Sequence, residues 1–223
     1  MKIFDSILAW LKSLSRPAAI QTLLGGRQIE VVDHWLTGAT RLKYPAGPEM
    51  RIRRFGIAHF TSGATALSSV DFWRSTDAHG AEAHVIIDRD GTIYQIRAFN
   101  QKADHAGEST WHDQRTTYTW LNSCSIGIEF ANGGDDASLI RRYSNLPPVV
   151  ARHKNGGQIT SWEAFPEVQI LAGIAVFQAI TKAYHLDDVV GHDDIAPRRK
   201  VDPGPAFPMQ RLREACGFSG LPR

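Results

Sequence analysis

Residues 166–184 constrain this chain more than any other segment. Pro166 and Glu167 open it, and proline suits the first turn of a helix, where its missing N–H costs nothing. Val168, Leu171, Ile174, Ala175, Gln178 and Ala179 recur at helical spacing, while Ile170, Val176, Phe177 and Ile180 lie elsewhere around the same helix. A helix apolar on most faces is expected to be buried against a sheet. The chain supplies the strands. Residues 54–60 read as a buried strand through Phe55, Ile57 and Ala58, and residues 125–131 as another. Residues 84–88 and 92–97 are apolar, β-branched runs on either side of Arg89-Asp90-Gly91, the signature of a hairpin with a tight Asp-Gly turn. Val189 and Val190 mark a short strand end.

Shorter helices are expected over residues 69–75 and 208–216. Residues 18–50 are irregular, punctuated by glycine and proline. Residues 132–165 carry Gly133-Gly134, Pro147-Pro148 and Gly156-Gly157 and read as a long surface excursion, a kind of loop that often has a function. The expected architecture is therefore one α/β domain over residues 31–218, with a central mixed β-sheet flanked by helices. Residues 1–30 form an N-terminal amphipathic helix and linker.

The 223 residues suffice for one well-buried domain. A net charge of +2 and the lack of a long basic run argue against a nucleic-acid partner. Cys124 and Cys216 read as buried thiols, although the sequence leaves open a bridge between them. No apolar stretch is long enough to span a membrane. At the N-terminus Phe4, Ile7, Leu8, Leu11 and Leu14 repeat at helical spacing. Packing on the domain is the plain reading, and residues 3–14 are also a candidate for contact with a membrane surface. The run lacks the length and cleavage site of a clear signal peptide, so the expected location is the cytoplasm, with later release or export left open. A monomer is expected.

Among the nine histidines, His59 ends a candidate strand and His192 follows Val189-Val190-Gly191. Asp202 lies ten positions further on, in a loop stiffened by proline. Two neutral imidazoles and a carboxylate suit a hydrolytic Zn2+ site that keeps a fourth position for water. The same residues have plainer readings. A strand histidine is commonly a satisfied core residue, and an aspartate before proline commonly forms a turn.

The surroundings carry more information. Residues 191–205, Gly-His-Asp-Asp-Ile-Ala-Pro-Arg-Arg-Lys-Val-Asp-Pro-Gly-Pro, resemble the C-terminal motif of the type-2 N-acetylmuramoyl-L-alanine amidases, in particular the AmpD-like branch. That family is related to phage lysin amidases and to the peptidoglycan recognition proteins. Four further stretches resemble family landmarks in the same order: Ile57 to Thr61, Ala83 to Gly91, Asp104 to Gly107, and Asn122 to Phe130. Leu36 to Thr40 resembles the leader of AmpD-like members. The resemblance covers roughly residues 33–216 and is weakest in the 132–165 excursion.

The resemblance implies a zinc-dependent hydrolase that cleaves the amide between N-acetylmuramic acid and L-alanine in peptidoglycan or muropeptides. It implies His59, His192 and Asp202 as zinc ligands, at one edge of the sheet. Glu129 sits in an apolar strand, where an unpaired carboxylate costs several kcal/mol to bury. A salt bridge to an arginine is one explanation. By resemblance, Glu129 is a general base that takes a proton from water and later delivers it to the leaving amine. Lys200 by resemblance stabilises the oxyanion. Some members carry a tyrosine just before the hairpin histidine. Here that position is Ala83, and the acidic Glu129 stands in for it, as in the AmpD-like branch. His84 is expected to orient a ligand or to be a core residue, and His105 to line the substrate cleft. Trp111 and Trp120 are candidates for stacking on a sugar or for packing. The rival readings are a recycling amidase restricted to anhydro-muropeptides and a peptidoglycan-binding module without catalysis.

Overall fold

The computed structural model describes residues 28–78, 80–113 and 115–219. The N-terminal helix and the membrane-contact segment expected at residues 3–14 lie outside the described residues. The strands, in chain order, are β1 (Val31–Val32), β2 (Trp35–Leu36), β3 (Thr40–Arg41), β4 (Phe55–Phe60), β5 (Val85–Ile87) and β6 (Ile93–Gln95), then β7 (Thr110–His112), β8 (Thr117–Thr119), β9 (Ser125–Phe130), β10 (Val149–Arg152), β11 (Ile159–Trp162) and β12 (Asp188–Gly191). The α-helices are α1 (Ala66–Trp73), α2 (Ala137–Tyr143), α3 (Glu167–Tyr184), α4 (His192–Ile195) and α5 (Met209–Ala215).

Six strands form one mixed sheet in the order β12-β4-β9-β5-β6-β3. Strands β12, β4, β9 and β5 run parallel, and β6 turns back antiparallel on β5 through the expected hairpin. Because side chains alternate along a strand, each strand divides its residues between the two faces. Ala58 and Phe60 of β4, Ile126, Ile128 and Phe130 of β9, and Val85 and Ile87 of β5 join α3 in one large core. Phe55 and Ile57, one step out of phase, pack with Leu121, Trp111 and Val190 on the opposite face. Ile86 meets Ala66 and Val70 of α1 on that second face.

Helix α3 is buried along most of its length, from Gln169 to Ile180. This matches a segment apolar on nearly all faces. Helix α1 starts three residues earlier than the expected 69–75. Thr65 caps it, accepting from Ser68 N at 3.1 Å, while Ser68 Oγ accepts from Thr65 N at 3.0 Å. That reciprocal capping box sets the boundary, and it lies ahead of the apolar spacing that marks the helix in sequence.

Residues 132–165 carry helix α2 and the antiparallel β10–β11 hairpin. Their return to the sheet is anchored by Glu163, which is 1% exposed and forms a forked ion pair with Arg89 at 2.6 and 2.9 Å. Cys124 and Cys216 are both free thiols. Among the described residues no helix is long and apolar enough to cross a membrane.

Phe177 lies at the centre of the α3–sheet contact and is fully buried. Phe177→Ala should destabilise the protein by about 3–5 kcal/mol, the range for a large aromatic removed from a core. Urea unfolding followed by circular dichroism measures this, and an unchanged midpoint would mean that α3 does not carry the fold.

Candidate metal centre and cleft

The sheet brings the candidate residues together through register. His59 on β4 is the direct partner of Glu129 on β9, and Gly191 on β12 pairs with Ala58. The carboxyl ends of three neighbouring parallel strands therefore deliver His59, Glu129 and, one residue past β12, His192. Crevices outside the carboxyl ends of parallel strands are the usual ligand positions in such sheets. Asp202 returns to the same point through the loop after α4, where Asp193 N donates to Asp202 O at 2.7 Å.

His59 Nδ1, His192 Nδ1 and Asp202 Oδ2 form a triangle with every side 2.9 Å long. All three residues are buried. What lies behind them decides which nitrogens carry protons. His192 Nε2 is 3.2 Å from the carbonyl of Ala106, which can only accept, so Nε2 holds the proton and Nδ1 presents a lone pair. His59 Nε2 faces His105 Nδ1 at 3.0 Å. The Ser125 hydroxyl donates its single proton to Leu121 O at 2.7 Å, so it accepts from His105 Nε2 at 3.2 Å. His105 is thus protonated on Nε2 and accepts on Nδ1. His59 must donate from Nε2, and its Nδ1 also presents a lone pair.

Burial, together with the neighbouring His192, lowers the His59 pKa to about 4, which keeps the ring neutral at physiological pH. Burial also holds His105 well below the usual histidine range. In these tautomers both imidazoles turn Nδ1 toward the Asp202 carboxylate, and three atoms able to act as electron-pair donors meet at 2.9 Å. Such an arrangement fits a bound cation, and two imidazoles with one carboxylate fit a divalent ion of the zinc type.

The centre opens into a cleft of about 590 Å³ lined by His59, His192, Asp202, Glu129, Lys200 and the 61–63 loop, with Phe72 and Trp73 of α1 further out. Glu129 Oε2 is buried with no hydrogen-bond partner. Its carboxyl pKa is pushed well above the usual value, first by burial and then by the negative charge of Asp202, while Lys200 acts in the opposite direction. The arginine partner that would make Glu129 purely structural does not appear among the described contacts.

His84 does not line the cleft. Its Nδ1 accepts from Gly127 N at 3.1 Å and its Nε2 donates to Gln101 O at 2.8 Å, as befits a core histidine. His105 sits at the back wall, with its ring over Gly127. A Cβ there would meet His105 Cγ at 2.4 Å, so the glycine inside an apolar strand makes room for the imidazole. A glycine at that place signals a close approach, and it is the one clue in the sequence to this contact. Trp111 packs in the second core, and Trp120 is 62% exposed on a neighbouring loop.

Comparison with known proteins places the sequence in a family. The family model described as N-acetylmuramoyl-L-alanine amidase matches residues 49–205. The chain is 36% identical over 124 residues to the N-acetylmuramoyl-L-alanine amidase AmiD of Escherichia coli (strain K12), covering 55% of this chain and 37% of that one. It is 33% identical over 137 residues to the 1,6-anhydro-N-acetylmuramyl-L-alanine amidase AmpD of Salmonella typhimurium (strain SL1344), covering 61% of this chain and 58% of that one. The matches thus span less than two thirds of either relative's length. Among solved structures, the complex of E. coli AmiD with anhydro-N-acetylmuramic acid-L-Ala-D-gamma-Glu-L-Lys superposes with a TM-score of 0.56 at 28% identity, covering 86% of this chain and 67% of that one.

The raised pKa of Glu129 has a consequence for stability. A carboxyl whose folded pKa lies above its unfolded value opposes folding increasingly as pH rises past that unfolded value, near 4.5. Metal-free Glu129→Gln should therefore melt higher than metal-free wild type at about pH 7, by roughly 2–4 °C for each kcal/mol relieved. The difference should vanish below about pH 4, where both folded and unfolded carboxyls are protonated. Thermal melts at the two pH values check this, and identical melting temperatures at both would contradict it.

Proposed function

The chain belongs to the N-acetylmuramoyl-L-alanine amidase family, whose pattern spans residues 49–205, and from that premise we propose that it is a zinc-dependent amidase cleaving the bond between N-acetylmuramic acid and L-alanine in peptidoglycan fragments. The observation that carries this reading is the 2.9 Å triangle of His59 Nδ1, His192 Nδ1 and Asp202 Oδ2, set beside the Glu129 carboxyl, whose Oε2 is buried without a partner.

In this reading His59, His192 and Asp202 hold the zinc. When bound, the ion supplies Lewis-acid chemistry, polarising the scissile carbonyl and lowering the pKa of a water to about 7. The rest falls to the chain's own residues. Glu129 is the general base, and its raised pKa suits it to take the proton of the attacking water and then hold it. The same carboxylic acid returns that proton to the alanine nitrogen as the C–N bond breaks. Lys200, on the cleft wall, donates to the oxygen on which negative charge develops. His105 and the Ala106 carbonyl keep the ligand imidazoles in the tautomer that binds metal. His84 supports the wall behind His105, its ring centre 5.8 Å from that of His105.

The relatives' printed names also favour a substrate class. One is named for the 1,6-anhydro muramyl amide, and the solved complex holds an anhydro-muramyl tripeptide. We infer that soluble anhydro-muropeptides are accepted, whether or not intact wall is.

The decisive assay follows release of free stem peptide from muropeptides by mass spectrometry. Release should stop with a chelator and return with zinc. Glu129→Ala should still bind one zinc and lose turnover by about 10²–10⁴-fold, the usual contribution of a general base. Full turnover in that variant would remove Glu129 from the mechanism. Failure to release peptide from muropeptides or sacculi with zinc bound would leave a binding module. Digesting sacculi in parallel defines how large a substrate the cleft admits.

A further inference from the structure

The tip of the β10–β11 hairpin touches the metal-ligand loop with three consecutive residues. His153 Nε2 donates to Asp193 Oδ2 at 3.0 Å, and its Nδ1 accepts from Asn155 N at 3.1 Å, so both ring nitrogens are engaged. Lys154 Nζ lies 2.9 Å from Asp193 Oδ1 and 2.5 Å from Asp194 Oδ1. Asn155 Nδ2 donates to Asp193 O at 2.8 Å. Asp193 is thus held through both carboxylate oxygens and its carbonyl by residues about forty positions earlier in the chain.

Asp193 is also the junction between two candidate ligands. It directly follows His192, and its own N–H donates to the carbonyl of Asp202 at 2.7 Å. Asp194 Oδ2 accepts from Gly191 N at 2.7 Å, folding the turn back on itself. The fold-back is tight, since a Cβ at Gly191 would meet Asp193 Oδ1 at 2.3 Å and Pro203 Cδ at 2.7 Å. Helix α4 has only four residues, His192–Ile195, and so short a helix has little stability of its own. Its geometry has to come from what is packed around it. His153 and Asp193 are 5% and 3% exposed, which makes this a buried contact and not a screened surface pair. Losing one partner would strand the other without compensation.

We propose that the β10–β11 hairpin is a brace for the metal centre. In it His153, Lys154 and Asn155 are positioning residues that hold His192 and Asp202 in the arrangement that accepts the ion. The proposal rests on the zinc reading of the preceding subsection. It assigns a role to residues 132–165, the part of the chain where the family resemblance is weakest. Coupling of this kind is reciprocal: whatever the hairpin contributes to metal affinity, the metal returns as stability of the hairpin.

Two measurements test it, with zinc alone as the probe. The first is zinc affinity, read by competition with a chromogenic chelator, for wild type, His153→Ala, His153→Gln and Asn155→Ala. The alanine variants should bind zinc about 10–100-fold more weakly, the range for groups that orient a metal ligand. His153→Gln, which keeps a donor for Asp193, should recover part of the loss. The second is hydrogen exchange of residues 149–162 in wild type, with and without zinc. It needs no substitution, so it stands even if a variant fails to fold. Zinc should slow exchange at the hairpin tip. Alanine variants that bind zinc as tightly as wild type, or hairpin exchange unchanged by zinc, would overturn the brace. A wild type that takes up no zinc would overturn the metal reading itself, and the brace with it.

Discussion

Two imidazole nitrogens and a carboxylate oxygen stand mutually 2.9 Å apart, a spacing that suits three donors gathered around one cation. Much of the molecule can be understood as what holds that triangle in place. The long parallel pairing of β4 with β9 and the shorter one of β12 with β4 fix where His59 and His192 emerge. The Ala106 carbonyl and the Ser125–His105 pair draw the imidazole protons to the rear, so the lone pairs face inward. None of these contacts is strong alone, and a net gain of about 1 kcal/mol is typical for each. Together they make the ligand geometry a property of the fold and not of the ion.

Glu129 shows the same logic with a different sign. It sits across from His59 in register, half-buried at the cleft wall and beside a carboxylate, where a negative charge is disfavoured. A cation in the triangle would relieve that cost. The proximity of Lys200 relieves part of it in the chain itself. A cation bound there and the protonation of Glu129 are therefore linked, since each changes the cost of the other.

The sequence made much of this legible where a physical signal was strong and local. Helix α3, the hairpin over Asp90-Gly91 and the strands at 55–60 and 125–130 all follow from periodicity, because burial on defined faces leaves a regular pattern. His59, His192 and Asp202 could be listed, and the motifs around them gave the list its meaning. What could not be read was contact between distant segments. Residues 132–165 look like a loop because glycines and prolines punctuate them, yet the hairpin's alternation is carried by Val149 to Arg152 and Ile159 to Trp162, runs too short and mixed to stand out. His153 carries no local signal that sets it apart from a surface or structural histidine until the fold sets Asp193 against it. His105 lines the cleft at its back wall, and the space left by Gly127 is what lets it stand against His59.

The pleat of the central strands explains how so polar a centre can be tolerated. Along β4 and β9 the odd-numbered positions face the site: Ile57 and His59 on one strand, Ser125, Gly127 and Glu129 on the other. The even-numbered positions, Ala58, Phe60, Ile126, Ile128 and Phe130, face α3. Stability and chemistry thus occupy opposite faces of the same residues' backbone. A slip of β9 by one residue against β4 would send Glu129 into the α3 core and turn Phe130 toward the cleft. The apolar face forbids that slip, because Ile126, Ile128 and Phe130 would leave the core together. The register that brings His59 beside Glu129 is therefore enforced by the apolar face of the same strands, and the polar face is free to hold an arrangement that would not be stable on its own.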